Sequence, residues 1–297
     1  FSGTIPSFFA NFSRLENFQF PYNSFTGTLP SELSKLNQLK YFVAGNNHFH
    51  QGFPTWVSSL SLLDILDLSN NKVTGTIPSC LDTIVSLQEL HLNGNLLTGS
   101  VPSSLLLLNQ TLALVDLSSN RLHGDPFFLM SLPNLQYLNV SDNKFDRAYS
   151  WHQLLQSASN LQYSSLLTLD ISNNYFTSSL PSGIYAKFPS LEVFAASYNC
   201  FATAIPTDIC NLRMLSTFEI DRLGARCART DYSSRREIPA CIFQLPALET
   251  FVASSNRYYG SIGNVHNSTL RTLVLIGNLL TGTIPRGLTS GSAMLNL

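Results

Sequence analysis

Arginine is the residue whose placement first suggests chemistry. Residues 213–236 hold six of the chain's 17 basic residues: Arg213, Arg222, Arg226, Arg229, Arg235 and Arg236. Only Glu219, Asp221 and Asp231 stand against them. A guanidinium presents a planar fork of N–H donors that matches a carboxylate, sulfate or phosphate. Arg222, Arg226, Arg229, Arg235 and Arg236 are therefore candidates for a fork site reading such a group on a ligand or partner. The plainer reading of GARCARTDYSSRRE is a solvated surface loop. Other chemistry is sparse. His48 and His50 stand two apart with no convincing third ligand, so no metal site is expected. The chain has no H-E-x-x-H, no phosphate loop and no G-x-S-x-G. Neither an enzyme nor a cofactor is expected.

The elements that must position these residues come from a repeat. LDLSNNKVTGTIPS, residues 66–79, holds an L-x-L pair, an Asn three residues on, a Gly and an Ile-Pro. The same Asn recurs as Asn23, Asn47, Asn71, Asn95, Asn120, Asn143, Asn174, Asn199, Asn256 and Asn278. The first three steps are 24 residues each. A degenerate copy, with Leu215, Phe218 and Ile220 in the apolar slots and Leu223 in place of Asn, brings the copies to eleven. The L-x-L part alternates with period two, which predicts a short strand with one buried face. One such strand cannot bury that face alone, so the copies must stack into a solenoid with a continuous core. The Asn side chain, with its carbonyl and NH₂, is expected to bridge the turns of its own copy and the next. Gly75 permits positive φ, and Pro78 suits a tight segment outside the main sheet.

Two intervals break the period. Near 146–165, Trp151, Leu154, Leu155 and Leu161 sit at near-helical spacing, which predicts a longer helix. Near 224–238 lies the arginine-rich insertion. There are five cysteines, at 80, 200, 210, 227 and 241. Residues of a stacked coil meet only within a copy or across neighbouring copies. Cys80 lies five copies from the rest, roughly 25 Å at the strand spacing, beyond disulfide reach. The other four allow three connectivities. Cys200–Cys227 and Cys210–Cys241 join neighbouring copies and would staple the break; small buried hydrophobes are the other reading. Sequons occur at Asn11, Asn109, Asn139 and Asn267, and exposed ones carry glycans if the protein is secreted. Asn139, between Leu138 and Val140, points out of the sheet, where a glycan would block access.

The outward middle column of the sheet reads Gln19, Val43, Asp67, His91, Asp116, Asn139, Asp170, Ala195, Glu219, Val252, Val274. Tyr41, Glu89 and Tyr137 stand beside it. It is acidic in the middle and apolar toward the C-terminal end. Such a surface binds by its geometry, and Asp67, His91, Asp116 and Asp170 join the candidate partner-binding residues.

The pattern L-x-x-L-x-L-x-x-N-x-x-x-G-x-I-P-x-x-L resembles the plant-type leucine-rich repeat over nearly the whole chain. The resemblance implies an α/β repeat solenoid: a curved right-handed coil with a concave parallel sheet. It also implies short strands at the T-G-x-I-P segment and short helices or 3-10 turns on the convex side. One solenoid domain over 1–297 is expected. The chain opens inside one repeat and closes on Leu295-Asn296-Leu297, half of another, so it is expected to be cut from a longer protein. Similar repeats form ectodomains of receptor kinases and receptor-like proteins. They imply an extracellular or cell-surface recognition module for a protein, peptide or glycan, most simply the ectodomain of a cell-surface receptor or receptor-like protein. A structural or adhesive extracellular protein, or a secreted enzyme inhibitor, are the alternatives. Paired-cysteine caps and a kinase are missing from the pattern here, and Phe and Ala replace Leu in several slots. The formal net charge of −1 points to no nucleic-acid partner. Charged residues are only 12% of the chain. The most apolar run, Leu105 to Leu117, is broken by Asn109, Gln110 and Asp116, so no membrane span is expected in this stretch, an expectation that does not extend to the parent protein.

Overall fold

The computed structural model describes residues 1–147, 164–177, 180, 182–183, 187–201, 205–224, 227, 236–263 and 269–285, and the backbone of 294–296. The longer helix expected near 146–165 falls mostly outside them. The chain divides into two compact units, Phe1–Phe145 and Asp146–Leu297.

In the first unit, three-residue strands form a parallel sheet: Asn17–Gln19, Tyr41–Val43, Ile65–Asp67, Glu89–His91, Leu114–Asp116 and Tyr137–Asn139. The strands pair in register, so Phe18, Phe42, Leu66, Leu90, Val115 and Leu138 line up on the inner side. Leu66 and Leu90 are fully buried, each contributing about 2 kcal/mol of apolar burial. The second unit repeats the arrangement with Thr168–Asp170, Val193–Ala195, Thr217–Glu219, Thr250–Val252, Thr272–Val274 and Met294–Asn296. Its inner line holds Phe194, Phe218 and Phe251. Their rings stack with centroids 5.7 and 5.5 Å apart. Three successive Leu-to-Phe replacements thus stack ring on ring, while the ends of the run pack against Leu169 and Leu273.

Each copy leaves its strand, turns, and returns through a 3-10 helix. Pro78, at φ −78°, precedes Ser79–Thr83, whose Leu81 is buried. The Ile84 N–H donates to the Leu81 carbonyl and closes the helical turn. Gly75 has φ +86°. The segments before Ile-Pro pair as small parallel sheets, such as Ser2–Gly3 with Ser24–Gly27 and His48–Phe49. Among the described residues, no helix is long and apolar enough to cross a membrane.

The turn is held by the repeated Asn. Asn95 Nδ2 donates to the carbonyls of Leu92 and Asn93 in its own turn, at 3.1 and 3.3 Å, and of Leu68 in the copy before, at 2.9 Å. Its Oδ1 accepts the N–H of Val73, again in the copy before, at 2.9 Å. Asn47, Asn71, Asn120 and Asn143 bond the same way. The bridge therefore runs to the preceding copy, not the following one as the sequence reading expects. The strand leads into the turn, and the turn's carboxamide reaches the layer already laid down.

The residue just before each of these Asn residues is left-handed. Asn46, Asn70, Asp142, Asn173, Tyr198 and Arg222 have φ between +47° and +55°, and Gly94 and Gly277 lie at +66° and +68°. A non-glycine residue there costs about 1 kcal/mol, which the carboxamide bonds of the next residue offset everywhere but at Arg222, which Leu223 follows. Where Asn is missing, the main chain substitutes for it. The Phe201 N–H, the counterpart of Val73 N–H, donates to the main-chain carbonyl of Leu223 at 2.8 Å. The Leu223 side chain is fully buried.

The slot two residues after the ladder Asn is buried and apolar, as in Phe49, Leu97, Phe145 and Phe201. Tyr258 fills it once, and its hydroxyl is buried with no hydrogen-bond partner among the described residues. Burial pushes its phenol pKa well up.

Three outcomes are expected in urea unfolding. Asn95→Ala strands the buried Val73 N–H and three carbonyls, and should cost about 3 kcal/mol. Leu223→Asn, which restores the repeat in letters, should destabilise by about 2 kcal/mol, because the acceptor is already supplied by the backbone and a buried leucine is lost. Tyr258→Phe removes an unsatisfied hydroxyl without changing shape and should raise stability by about 1 kcal/mol.

Candidate functional site

Strand alternation that buries the leucines turns the residues between them outward. In the first unit the outward row is Gln19, Val43, Asp67, His91, Asp116 and Asn139, in register from strand to strand. A second row beside it holds Tyr41, Ile65, Glu89, Leu114 and Tyr137. The structure thus brings the sequence-predicted Asp67, His91 and Asp116 onto one face.

Part of their bonding capacity serves the fold. Asp67 Oδ1 accepts the Ser69 N–H at 2.8 Å. Asp116 Oδ1 accepts both the N–H and the hydroxyl of Ser118, at 3.0 and 2.7 Å. Asn139 caps Ser141 in the same manner. These side chains close the strand end, which the D-x-S and N-x-S spacing makes readable after the fact. His91 Nε2 lies 3.0 Å from Glu89 Oε2, a half-exposed contact within one strand.

Asn139 also donates from Nδ2 to the Tyr137 hydroxyl at 3.3 Å, so its carboxamide is engaged at both ends. Asn11 and Asn109 are exposed at the ends of 3-10 helices, away from the strands. Asn267 lies outside the described residues.

In the second unit the outward row is Asp170, Ala195, Glu219, Val252 and Val274. Asp170 Oδ1 accepts the Ser172 N–H at 2.9 Å. Glu219 is absent from the sequence-predicted site residues, yet it is half-buried, and its carboxyl is held above the ordinary range, first by burial and then by the charges of Asp170 and Asp221. Beside this row stand Thr168, Val193, Thr217, Thr250 and Thr272.

Two of the candidate arginines, Arg222 and Arg236, are among the described residues, and they stand in different settings. Arg222 is exposed, and its guanidinium lies over the Tyr198 ring, 5.6 Å from the centroid. Arg236 is taken inside: it is only 7% exposed, because it sits in a strand, Arg236–Glu237, in register with Tyr258. A surface fork through Arg236 is therefore not what the fold provides. Arg226, Arg229 and Arg235 lie outside the described residues. Disulfides join Cys200 to Cys227 and Cys210 to Cys241, and Cys80 is free. Among the described residues no group of three or more His, Cys, Asp or Glu side chains could hold a metal ion.

Comparison with known proteins agrees with this architecture. Leucine rich repeat family models match residues 45–97 and 165–186. Receptor-like protein 35 of Arabidopsis thaliana is 29% identical over 187 residues, covering 62% of this chain and 16% of the relative. Receptor-like protein 18 of the same plant is 35% identical over 201 residues, 61% of this chain and 23% of the relative. The chain thus spans less than a quarter of the length of these two relatives. Among solved structures, the Arabidopsis receptor kinase HAESA ectodomain, in complex with an IDA peptide hormone ligand, superposes with a TM-score of 0.71 at 27% identity, covering 96% of this chain and 49% of that one. The structure of a TDR receptor gives 0.68 at 26%, covering 98% and 60%. Receptor-type relatives and two disulfides fit an extracellular or cell-surface setting.

The Glu219 environment has a pH signature. A carboxyl whose folded pKa is raised costs the folded state when it ionises. Stability from this group is greatest below the ordinary carboxylate pKa and declines as pH rises through the raised value. Glu219→Gln should therefore raise the melting temperature near neutral pH and flatten that part of the stability–pH curve. Thermal unfolding across mildly acidic to neutral pH, compared with the parent chain, measures it.

Proposed function

We propose that this chain, a plant-type leucine-rich repeat protein and not an enzyme, is a recognition module of a cell-surface receptor or receptor-like protein, whose outward sheet face binds a peptide or a protein segment. One observation carries the reading. Inner and turn positions hold the same residue types from copy to copy, whereas the outward row of the first unit differs from each strand to the next: Val43, Asp67, His91, Asp116. A scaffold that repeats its inner and turn positions but varies its outward ones presents a string of different side chains at about 4.8 Å intervals. That spacing suits an extended chain laid across the strands, with each strand contributing one contact. The peptide complex of the HAESA ectodomain supports the peptide class. Exposed Arg222, which lies over the Tyr198 ring, is the residue we assign to a carboxylate or sulfate of such a partner.

The test uses a randomised short-peptide library displayed on phage and selected against the whole chain. Selected peptides should lose tenfold or more in affinity on substitution of outward-row residues, such as Asp67→Ala with His91→Ala, or Val252→Glu with Val274→Glu. Substitution on the 3-10 side, such as Asp82→Ala, should leave affinity unchanged. Peptides indifferent to every outward-row change would overturn the reading.

A further inference from the structure

The step from Asn95 to Asn120 is one residue longer than the steps of 24 that precede it. The extra residue can be located. Between the buried Leu108 and Leu112 stand three residues, Asn109, Gln110 and Thr111, where two stand between Leu60 and Leu63 and between Ile84 and Leu87. The shorter copies close this corner with a tight turn: the Leu63 N–H donates to the Leu60 carbonyl, and the Leu87 N–H to that of Ile84. In the longer copy the Leu108 carbonyl accepts from the N–H groups of both Thr111 and Leu112, at 3.2 and 3.0 Å. The turn is widened by one residue, and its Asn109 and Gln110 are exposed.

The widened turn spells Asn-Gln-Thr, an acceptor sequence for an N-linked glycan. Asn109 follows the 3-10 helix Ser103–Leu108. Its Oδ1 accepts from Gln110 Nε2 at 3.2 Å. Its Nδ2, the atom that carries the sugar in such a linkage, makes no hydrogen bond among the described residues. In Asn139, by contrast, Nδ2 is engaged with the Tyr137 hydroxyl.

A second observation points to what covers this corner. The most exposed aliphatic side chains among the described residues are Leu107, at 71%, and Val85, at 67%. Leucines scattered singly on a surface are ordinary. These two are not scattered. Leu107 stands two residues before Asn109, and Val85 is the residue whose carbonyl accepts the Thr111 hydroxyl, at 3.2 Å. Val85 also holds in its own copy the place that Asn109 holds in the next, directly after a buried Ile84 or Leu108. The exposed carboxamide therefore has an exposed aliphatic residue on its own copy and another on the copy before.

We propose that Asn109 carries an N-linked glycan, in the secretory setting that the disulfides and receptor-type relatives fit, and that its first N-acetylglucosamine lies over Val85 and Leu107. In the transfer, Asn109 Nδ2 attacks the anomeric carbon of a polyprenyl-diphosphate-linked oligosaccharide. A C–N bond forms and the C–O bond between sugar and diphosphate breaks. Polyprenyl diphosphate leaves, Nδ2 gives up one proton to the transferase, and nothing is oxidised or reduced. A pyranose ring has a face of C–H groups and a rim of hydroxyls, so it covers aliphatic carbon while its other side stays hydrated. The glycan belongs to the 3-10 side and leaves the outward row open. The inference goes beyond the recognition reading and holds whatever partner the outward row takes.

The whole chain, secreted from cultured cells behind a cleavable leader, tests it. Release of glycans by peptide N-glycosidase in heavy-oxygen water converts each glycosylated Asn to a labelled Asp. Mass spectrometry should find the label at Asn109 in most molecules; an unlabelled Asn109 would overturn the proposal. Asn109→Gln removes one exposed side-chain bond and should keep the fold. It should bind about twofold more of an apolar dye such as anilinonaphthalene sulfonate than the glycosylated parent, because the aliphatic pair is uncovered. Adding Val85→Ser and Leu107→Ser to Asn109→Gln should abolish that rise. Trimming a high-mannose form of the parent to its first sugar should leave dye binding as low as in the intact glycoform. A labelled Asn109 with equal dye binding in the parent and in Asn109→Gln would overturn the placement over Val85 and Leu107.

Discussion

The carboxamide of the repeated Asn is the interaction on which the rest of the structure depends. A solenoid coil must turn sharply once per copy, and a sharp turn exposes main-chain groups to an apolar interior. An Asn side chain has the two donors and one acceptor needed to meet those groups in two layers at once. Asn71 does so with Ala44, Leu68, Ser69 and Phe49. Because the acceptor and donors point to the preceding copy, every turn is fastened to a layer other than its own. The left-handed residues at the turn, Asn70 and Asn46 among them, persist because that fastening over-determines them.

The division of labour follows. Inner leucines and phenylalanines supply burial, and the ladder supplies main-chain bonding. Outward side chains carry little of either, apart from those that cap a serine. They are free to differ, and they do. Glu219 shows the consequence: a half-buried carboxyl near Asp170 and Asp221 is a cost to folding that the scaffold tolerates because its stability lies elsewhere. Such tolerated costs are where recognition is to be sought.

Much of this was legible in the letters, for reasons that can be named. Period two in L-x-L is a direct image of a pleated strand, and a constant step of 24 residues is a direct image of a coil. Proximity of neighbouring copies limited which cysteines could meet. What the letters hid was direction and compensation. Spacing alone does not say whether Asn95 reaches forward to the next layer or back to Val73. Leu223 looks like a broken ladder because the carbonyl that replaces the Asn is main chain, common to all residues. Arg236 looks like part of a basic loop, since nothing in RRE shows that one of the two arginines enters a strand opposite Tyr258. The left-handed residue was half legible: Asn, Asp and Gly tolerate it, but Tyr198 and Arg222 do not advertise it. Glu219 stood in the outward column from the start, and only burial and the neighbouring charges separate it from the other acids.

Separation of scaffold from display is the central claim, and amide hydrogen exchange measures it directly. Ile65, Glu89 and Leu114, three outward residues that cap no serine, are replaced by threonine. Exchange is then read at the amides of Phe49, Val73, Leu97 and Leu122, each of which donates to a ladder Asn. Exchange as slow as in the parent chain is the result this account predicts. Marked acceleration at those amides would contradict it, because the outward face would then be holding the coil together rather than being held by it.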